Sequence, residues 1–171
     1  MSSVPFELRP GVTNRNLWEP ERPPQAEWNR IRKVVLERDN YTCTSCSHHS
    51  LKFMHVHHLS DSENNAPENL SSLCVACHAI LHMGRNLSLG TIEIWKSSLS
   101  QVEIVRATRE GVRAGKNLGE INASFGLKKG RYAPGSMLWA NSLLDSMGPE
   151  PRASLQAPLC AVFIEFKQWQ L

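Results

Sequence analysis

The chain has 171 residues, 41% hydrophobic and 20% charged, the proportions of an ordinary globular protein rather than a disordered one. Its net charge of +3 admits nucleic acid as a partner without demanding it. No apolar run approaches the roughly 18 residues of a membrane span. The opening residues, Met-Ser-Ser-Val-Pro-Phe-Glu, lack the cationic and apolar blocks of a secretion signal, so a cytoplasmic location is expected.

Residues 1–25 hold five prolines and Gly11 and are expected to form an extended arm that packs by Phe6, Leu8, Leu17 and Trp18 or docks a partner. A helix should start at Pro23-Pro24 and run to Arg38, because Trp28, Ile31 and Val35 recur on one face. Residues 39–50 read as a polar loop and residues 51–58 as a strand. Residues 60–69 are rich in turn formers, and residues 70–73 suit a second short strand. A helix is expected from Val75 to His82, ending by Gly84. From residue 91 the pattern reads as helical, with Ile92, Trp95, Leu99 and Val102 on one face. Ser100 with Glu103 can form a capping box and restart the helix. Asn117 with Glu120 suggests another short helix, and a third is expected between Ser136 and Gly148. Residues 149–158 hold three prolines and read as a linker. Residues 162–171 alternate as a strand would.

The five cysteines carry the strongest signal. Cys43 and Cys46 form one Cys-x-x-Cys pair and Cys74 and Cys77 another, which leaves Cys160 as a buried thiol. In a chain without a secretion signal, such pairs mean a metal site more often than disulfides. Four thiolates complete a closed tetrahedron around zinc, with an iron–sulfur cluster as the competing occupant. All seven histidines lie between His48 and His82. His57 and His58 end the first strand, and His78 and His82 share a helical face on which both can reach one ion. His55, His48 and His49 read as packed or solvated. Asp61 and Glu63 are possible carboxylate ligands.

The order of these elements resembles the HNH endonucleases. The resemblance runs from Trp28 to His82, about a third of the chain. It comprises Trp-xx-Ile-Arg, then Leu-Glu-Arg-Asp-Asn-Tyr-Thr-Cys-Thr-Ser-Cys, Val-His-His-Leu, Glu-Asn-Leu, and Leu-Cys-Val-Ala-Cys-His-Ala-Ile-Leu-His. It is nearest to the McrA-like four-cysteine members and to colicin-type nucleases with a terminal His-x-x-x-His. The resemblance implies a small ββα-metal finger with a structural zinc; with the patterns outside it, the expected fold is α+β, the finger followed by a mainly helical region and a short terminal strand. The corresponding segments are 1–25 for the arm, 26–90 for the nuclease, 91–148 for the helices and 149–171 for linker and strand. It implies that His57, His78 and His82 hold a catalytic divalent ion (Mg²⁺, Mn²⁺, Ni²⁺ or Zn²⁺). His58 is implied as general base, with Asn69 fixing its imidazole and bracing the loop. Cys43, Cys46, Cys74 and Cys77 are implied to hold Zn²⁺. The implied activity is hydrolysis of DNA phosphodiesters, with a role in restriction or antiviral defence as one setting. The alternative is a zinc-bearing module that binds nucleic acid or a partner without cutting.

Charge points beyond the finger. Residues 104–131 hold seven basic and two acidic side chains. Arg106, Arg109, Arg113 and Lys116 recur as a helical stripe that is a candidate DNA contact. The terminal strand, near Trp169 and Leu171, is expected to join this chain's own sheet or to pair with a partner or second copy.

Overall fold

The computed structural model describes residues 6–14, 23–60 and 64–170. Among them the architecture is α+β, with six helices and six strands arranged as three separate two-stranded antiparallel ribbons. Leu17, Trp18, Asp61, Glu63 and Leu171 lie outside the described residues.

The first helix, α1 (Gln25–Arg38), matches the expected apolar face. Val35 is buried with Val56 and Leu70, and Trp28, Ile31 and Leu36 pack around them. Strands β2 (Met54–His58) and β3 (Leu70–Cys74) form a ribbon with Met54 opposite Cys74 and His58 opposite Leu70. Arg38 ties α1 to this ribbon, donating to the carbonyls of Pro67 at 2.6 Å and Leu70 at 2.9 Å. Asp39 accepts from the Ser72 amide at 3.0 Å. Helix α2 (Val75–Leu81) follows β3 without a loop. It stops one residue before the expected His82. A second short helix, α3 (Met83–Ser88), then passes through Gly84 rather than ending there.

The stretch after residue 91 is a correction. Residues Ile92–Lys96 form strand β4, and helix α4 (Gln101–Arg113) begins only at the Ser100–Glu103 capping box. Ile92 and Ile94 are buried, while Glu93 and Trp95 are half-buried, so the period is two. What decides for strand is a partner, β6 (Leu159–Phe163), paired from Ile92–Phe163 to Lys96–Leu159. The amide side chain of Gln101 bonds both the N–H and the C=O of Ala161, at 2.7 and 2.8 Å, fixing α4 to this ribbon. Helix α5 (Leu118–Ala123) starts at the Asn117–Glu120 capping box. Gly111 lets α5 approach α4, since a Cβ there would lie 2.6 Å from Ile121.

The C-terminal part differs from expectation in two more places. Helix α6 (Leu138–Ser146) is followed not by a linker but by strand β5 (Arg152–Ser154). Strand β5 pairs with β1 (Gly11–Thr13) of the arm, with Val12 opposite Ala153. Prolines flanking a three-residue strand do not interrupt its ladder. The last strand ends at Phe163, and a 3-10 turn (Lys167–Gln170) replaces its expected continuation. One apolar core contains Leu8 and Val12 of the arm, Cys74, Ile80 and Met83 of the finger, and Val105, Trp139, Phe163 and Trp169 of the C-terminal part. The segment boundaries at 25, 90 and 148 therefore do not separate packing units.

Candidate metal centres

Two donor clusters share one short β-to-α segment, in which Cys77 of one is followed directly by His78 of the other. The ligand atoms of Cys43, Cys46, Cys74 and Cys77 all lie within 4.8 Å of one another, and all four residues are buried. Cys43 and Cys46 come from a tight turn in which the Ser47 amide bonds the Cys43 carbonyl at 2.9 Å. Cys74 ends β3, and Cys77 sits in the first turn of α2. Four sulfurs and no open side suit a structural zinc ion. Their mutual hydrogen bonds push the thiol pKa down at Cys46 and Cys74 and up at Cys43 and Cys77. The two sulfurs held low are the two that Arg109 touches, Nη1 to Cys46 Sγ at 3.3 Å and Nη2 to Cys74 Sγ at 3.2 Å.

That contact changes the reading of the basic stripe on α4. Arg109 is only 8% exposed and stacks over the Trp169 ring at 5.3 Å. Its guanidinium is committed to sulfur and indole rather than to a phosphate. Arg106 donates to the Cys46 carbonyl at 3.1 Å. Arg113 and Lys116 are exposed.

The second cluster joins His57, His78 and His82, whose ligand atoms also lie within 4.8 Å of one another. His57 comes from β2, His78 from α2, and His82 from the α2–α3 junction. The Asn86 side chain holds that junction, donating to the carbonyls of Ala79 and His82 at 2.9 and 3.0 Å. Burial pushes the imidazole pKa values down at all three, to about 2 at His78 and about 4 at His82. All three are therefore neutral at pH 7, the form that ligates a metal. Three nitrogen donors and no carboxylate, among the described residues, suit Zn²⁺, Ni²⁺ or another transition ion better than Mg²⁺. His55, two residues before His57 on the same strand face, stacks on His78 at 4.2 Å and packs the cluster.

His58 points to the other face of β2, where its ring stacks on Trp28 at 5.8 Å. Its Nε2 lies 2.9 Å from Asn65 Oδ1. A carbonyl-type oxygen only accepts, so this contact assigns the proton to Nε2 and leaves the basic lone pair on Nδ1. Asn69, 8% exposed, braces the turn between the strands. Its Oδ1 accepts from Ser60 N at 3.1 Å and Ser60 Oγ at 2.8 Å, and its Nδ2 donates to the Asn64 carbonyl at 2.8 Å. The hydrogen bond to the His58 ring thus comes from Asn65, on the loop that Asn69 shapes.

One side chain against the histidine cluster carries no local sequence signal. Arg152, on β5, directs Nη1 onto His57 Nε2. Its Nε is buried without a hydrogen-bond partner, and burial lowers its pKa to about 10. An arginine beside three neutral imidazoles concentrates positive charge in one recess, which suits an anion. Proline-rich context hid it, because nothing local predicted the β1–β5 pairing that delivers it.

Comparison with protein-family models and with curated proteins finds no match.

Proposed function

We propose that the protein is a metal-dependent endonuclease of the HNH type that hydrolyses DNA phosphodiester bonds. The observation that carries this reading is the convergence of His57, His78 and His82 on one centre with Arg152 against it. A zinc-only binding module has no use for a second, all-imidazole cluster with a half-buried arginine against it. When bound there, a divalent ion supplies Lewis-acid stabilisation of a phosphoryl oxygen and of the leaving oxygen.

The chain's own groups do the rest. A neutral imidazole has one lone pair, so Arg152 must leave the His57 ring when that ring holds an ion, and its N–H donors then serve the anionic oxygens of the phosphate. His58, with its lone pair on Nδ1, accepts a proton from the attacking water, a role that typically contributes about 10²–10⁴ in rate. The Asn65 side chain holds that ring through Nε2, and Asn69 holds the loop that carries Asn65. Zinc at the four cysteines fixes the start of α2, and so positions His78 directly after Cys77.

A plasmid-nicking assay with Zn²⁺, Ni²⁺, Mn²⁺ or Mg²⁺ tests the reading. Conversion of supercoiled DNA to nicked or linear forms that requires an added ion supports it. Stable DNA binding without cleavage under every ion leaves the binding-module reading standing instead.

A further inference from the structure

A second basic surface lies away from both metal centres. Lys96 of β4 and Lys128 pair as an isolated antiparallel bridge, each amide bonding the other's carbonyl at 2.9 Å. Like charges set directly opposite each other in such a pair are destabilising. Lys96, Lys128, Lys129 and Arg131 are all exposed. Among the described residues, none of them has a carboxylate partner within ion-pair distance. The Arg131 guanidinium sits over the Tyr132 ring at 5.8 Å, and that ring meets Trp139 edge-on. Tyr132, Met137 and Leu138 are 38%, 41% and 58% exposed beside it. These four cations without an ion-pair partner lie on β4 and the segment it hydrogen-bonds, beside exposed aromatic and aliphatic groups, while the Glu93 carboxylate near Gly135 accepts from the Trp95 indole.

We propose that Lys96, Lys128, Lys129 and Arg131 form a phosphate-binding surface that grips duplex DNA away from the point of cleavage. The proposal deepens the nuclease reading and rests on it for the identity of the polyanion. Packing relates the two sites. A Cβ at Gly130 would lie 3.7 Å from the Trp139 ring, and one at Gly84 would lie 3.5 Å from Ala140. Trp139 and Ala140 are neighbours, and Gly84 is two residues past His82. Backbone contact positions the duplex without reading its sequence.

The test is charge reversal in the full-length chain. Lys129→Glu with Arg131→Glu is made in a His58→Ala background, without added divalent ion, and binding is measured to a duplex of about 30 base pairs. The expected result is at least a ~10-fold loss of affinity and a salt slope reduced by about two. Lys129→Gln with Arg131→Gln should lose less, and circular dichroism confirms that both variants fold. Hydrolysis of bis-p-nitrophenyl phosphate by the same pairs with His58 intact should match the unaltered protein. Unchanged affinity for the duplex overturns the surface. Tight binding that depends on these charges, with no cleavage under any ion by the chain with His58 intact, keeps the surface and overturns the nuclease reading. No binding of the duplex overturns both.

Discussion

Arg152 rests its guanidinium on the imidazole of His57, a residue 95 positions earlier in the chain. The contact joins the arm-and-tail ribbon β1–β5 to the histidine cluster. It places the C-terminal part of the chain inside the centre that the finger alone would have been expected to complete. Removing the guanidinium by Arg152→Ala should cut DNA cleavage by about 10²–10³, the range typical for losing one donor to a developing anion. Arg152→Lys should recover part of it. Binding of the divalent ion by calorimetry should persist in both, because Arg152 supplies no ligand. If the alanine variant cleaves as fast as the unaltered protein, Arg152 is a packing residue only.

His58→Ala should lower cleavage by about 10²–10⁴ while leaving the fold intact, because the ring is half-exposed and packs on Trp28 at one side. Parallel loss of folding cooperativity in a thermal melt would count against a catalytic role. Asn65→Ala should produce a smaller loss, through the orientation of the same ring.

Arg109→Ala should weaken zinc retention. It leaves the Cys46 and Cys74 sulfurs without their N–H donors and opens space beneath Trp169. Breaking a buried charged pair costs about 3–5 kcal/mol, so a clear fall in melting temperature is expected. The rate of zinc release to a chelator, read with a colorimetric indicator, should rise. Lys116→Ala, at an exposed position nearby, should not alter zinc release.

Cys74→Ser should be more severe, because zinc-binding free energy is folding free energy in such modules. Metal analysis should find less than one zinc per chain. The amide spectrum should lose the dispersion of β2, β3 and α2 together.

Acid should destabilise the protein in the absence of an ion at the histidine centre. His78 and His82 have pKa values pushed down to about 2 and about 4, below the ordinary value of 6.5. The unfolded chain therefore takes up protons first as the pH falls, and stability drops from about pH 6.5 downward. The expected observation is a melting temperature that decreases steadily between pH 7 and pH 5. His82→Asn should flatten that slope. Added Ni²⁺ or Zn²⁺ should raise the melting temperature throughout this range, because the folded-state ligands are neutral across it.

What could be read from the sequence is what neighbouring residues encode. The Cys-x-x-Cys turns, the two β2 histidines and the His78–His82 spacing are local geometry, which pairs donors within each motif; the β2–β3 ribbon and α2 then join the motifs into two sets. Both capping boxes were legible for the same reason, since Ser100–Glu103 and Asn117–Glu120 close their bonds within one turn. The tertiary structure decided what depends on distant partners. Ile92–Lys96 carries a pattern that suits helix or strand, and only pairing with Leu159–Phe163 makes it a strand. Residues Arg152–Ser154, between prolines, have no fate until Gly11–Thr13 lies beside them. The same pairing turns an apparent linker into the support of Arg152. Arg109 sits in a stripe that looks solvated along the helix, but the fold turns it inward because two thiolates 63 and 35 residues away need a cation. Composition placed the positive charge beyond the finger. Packing divided it: Arg109 supports the cysteine centre, Arg152 faces the histidines, and the lysines around residue 128 remain at the surface.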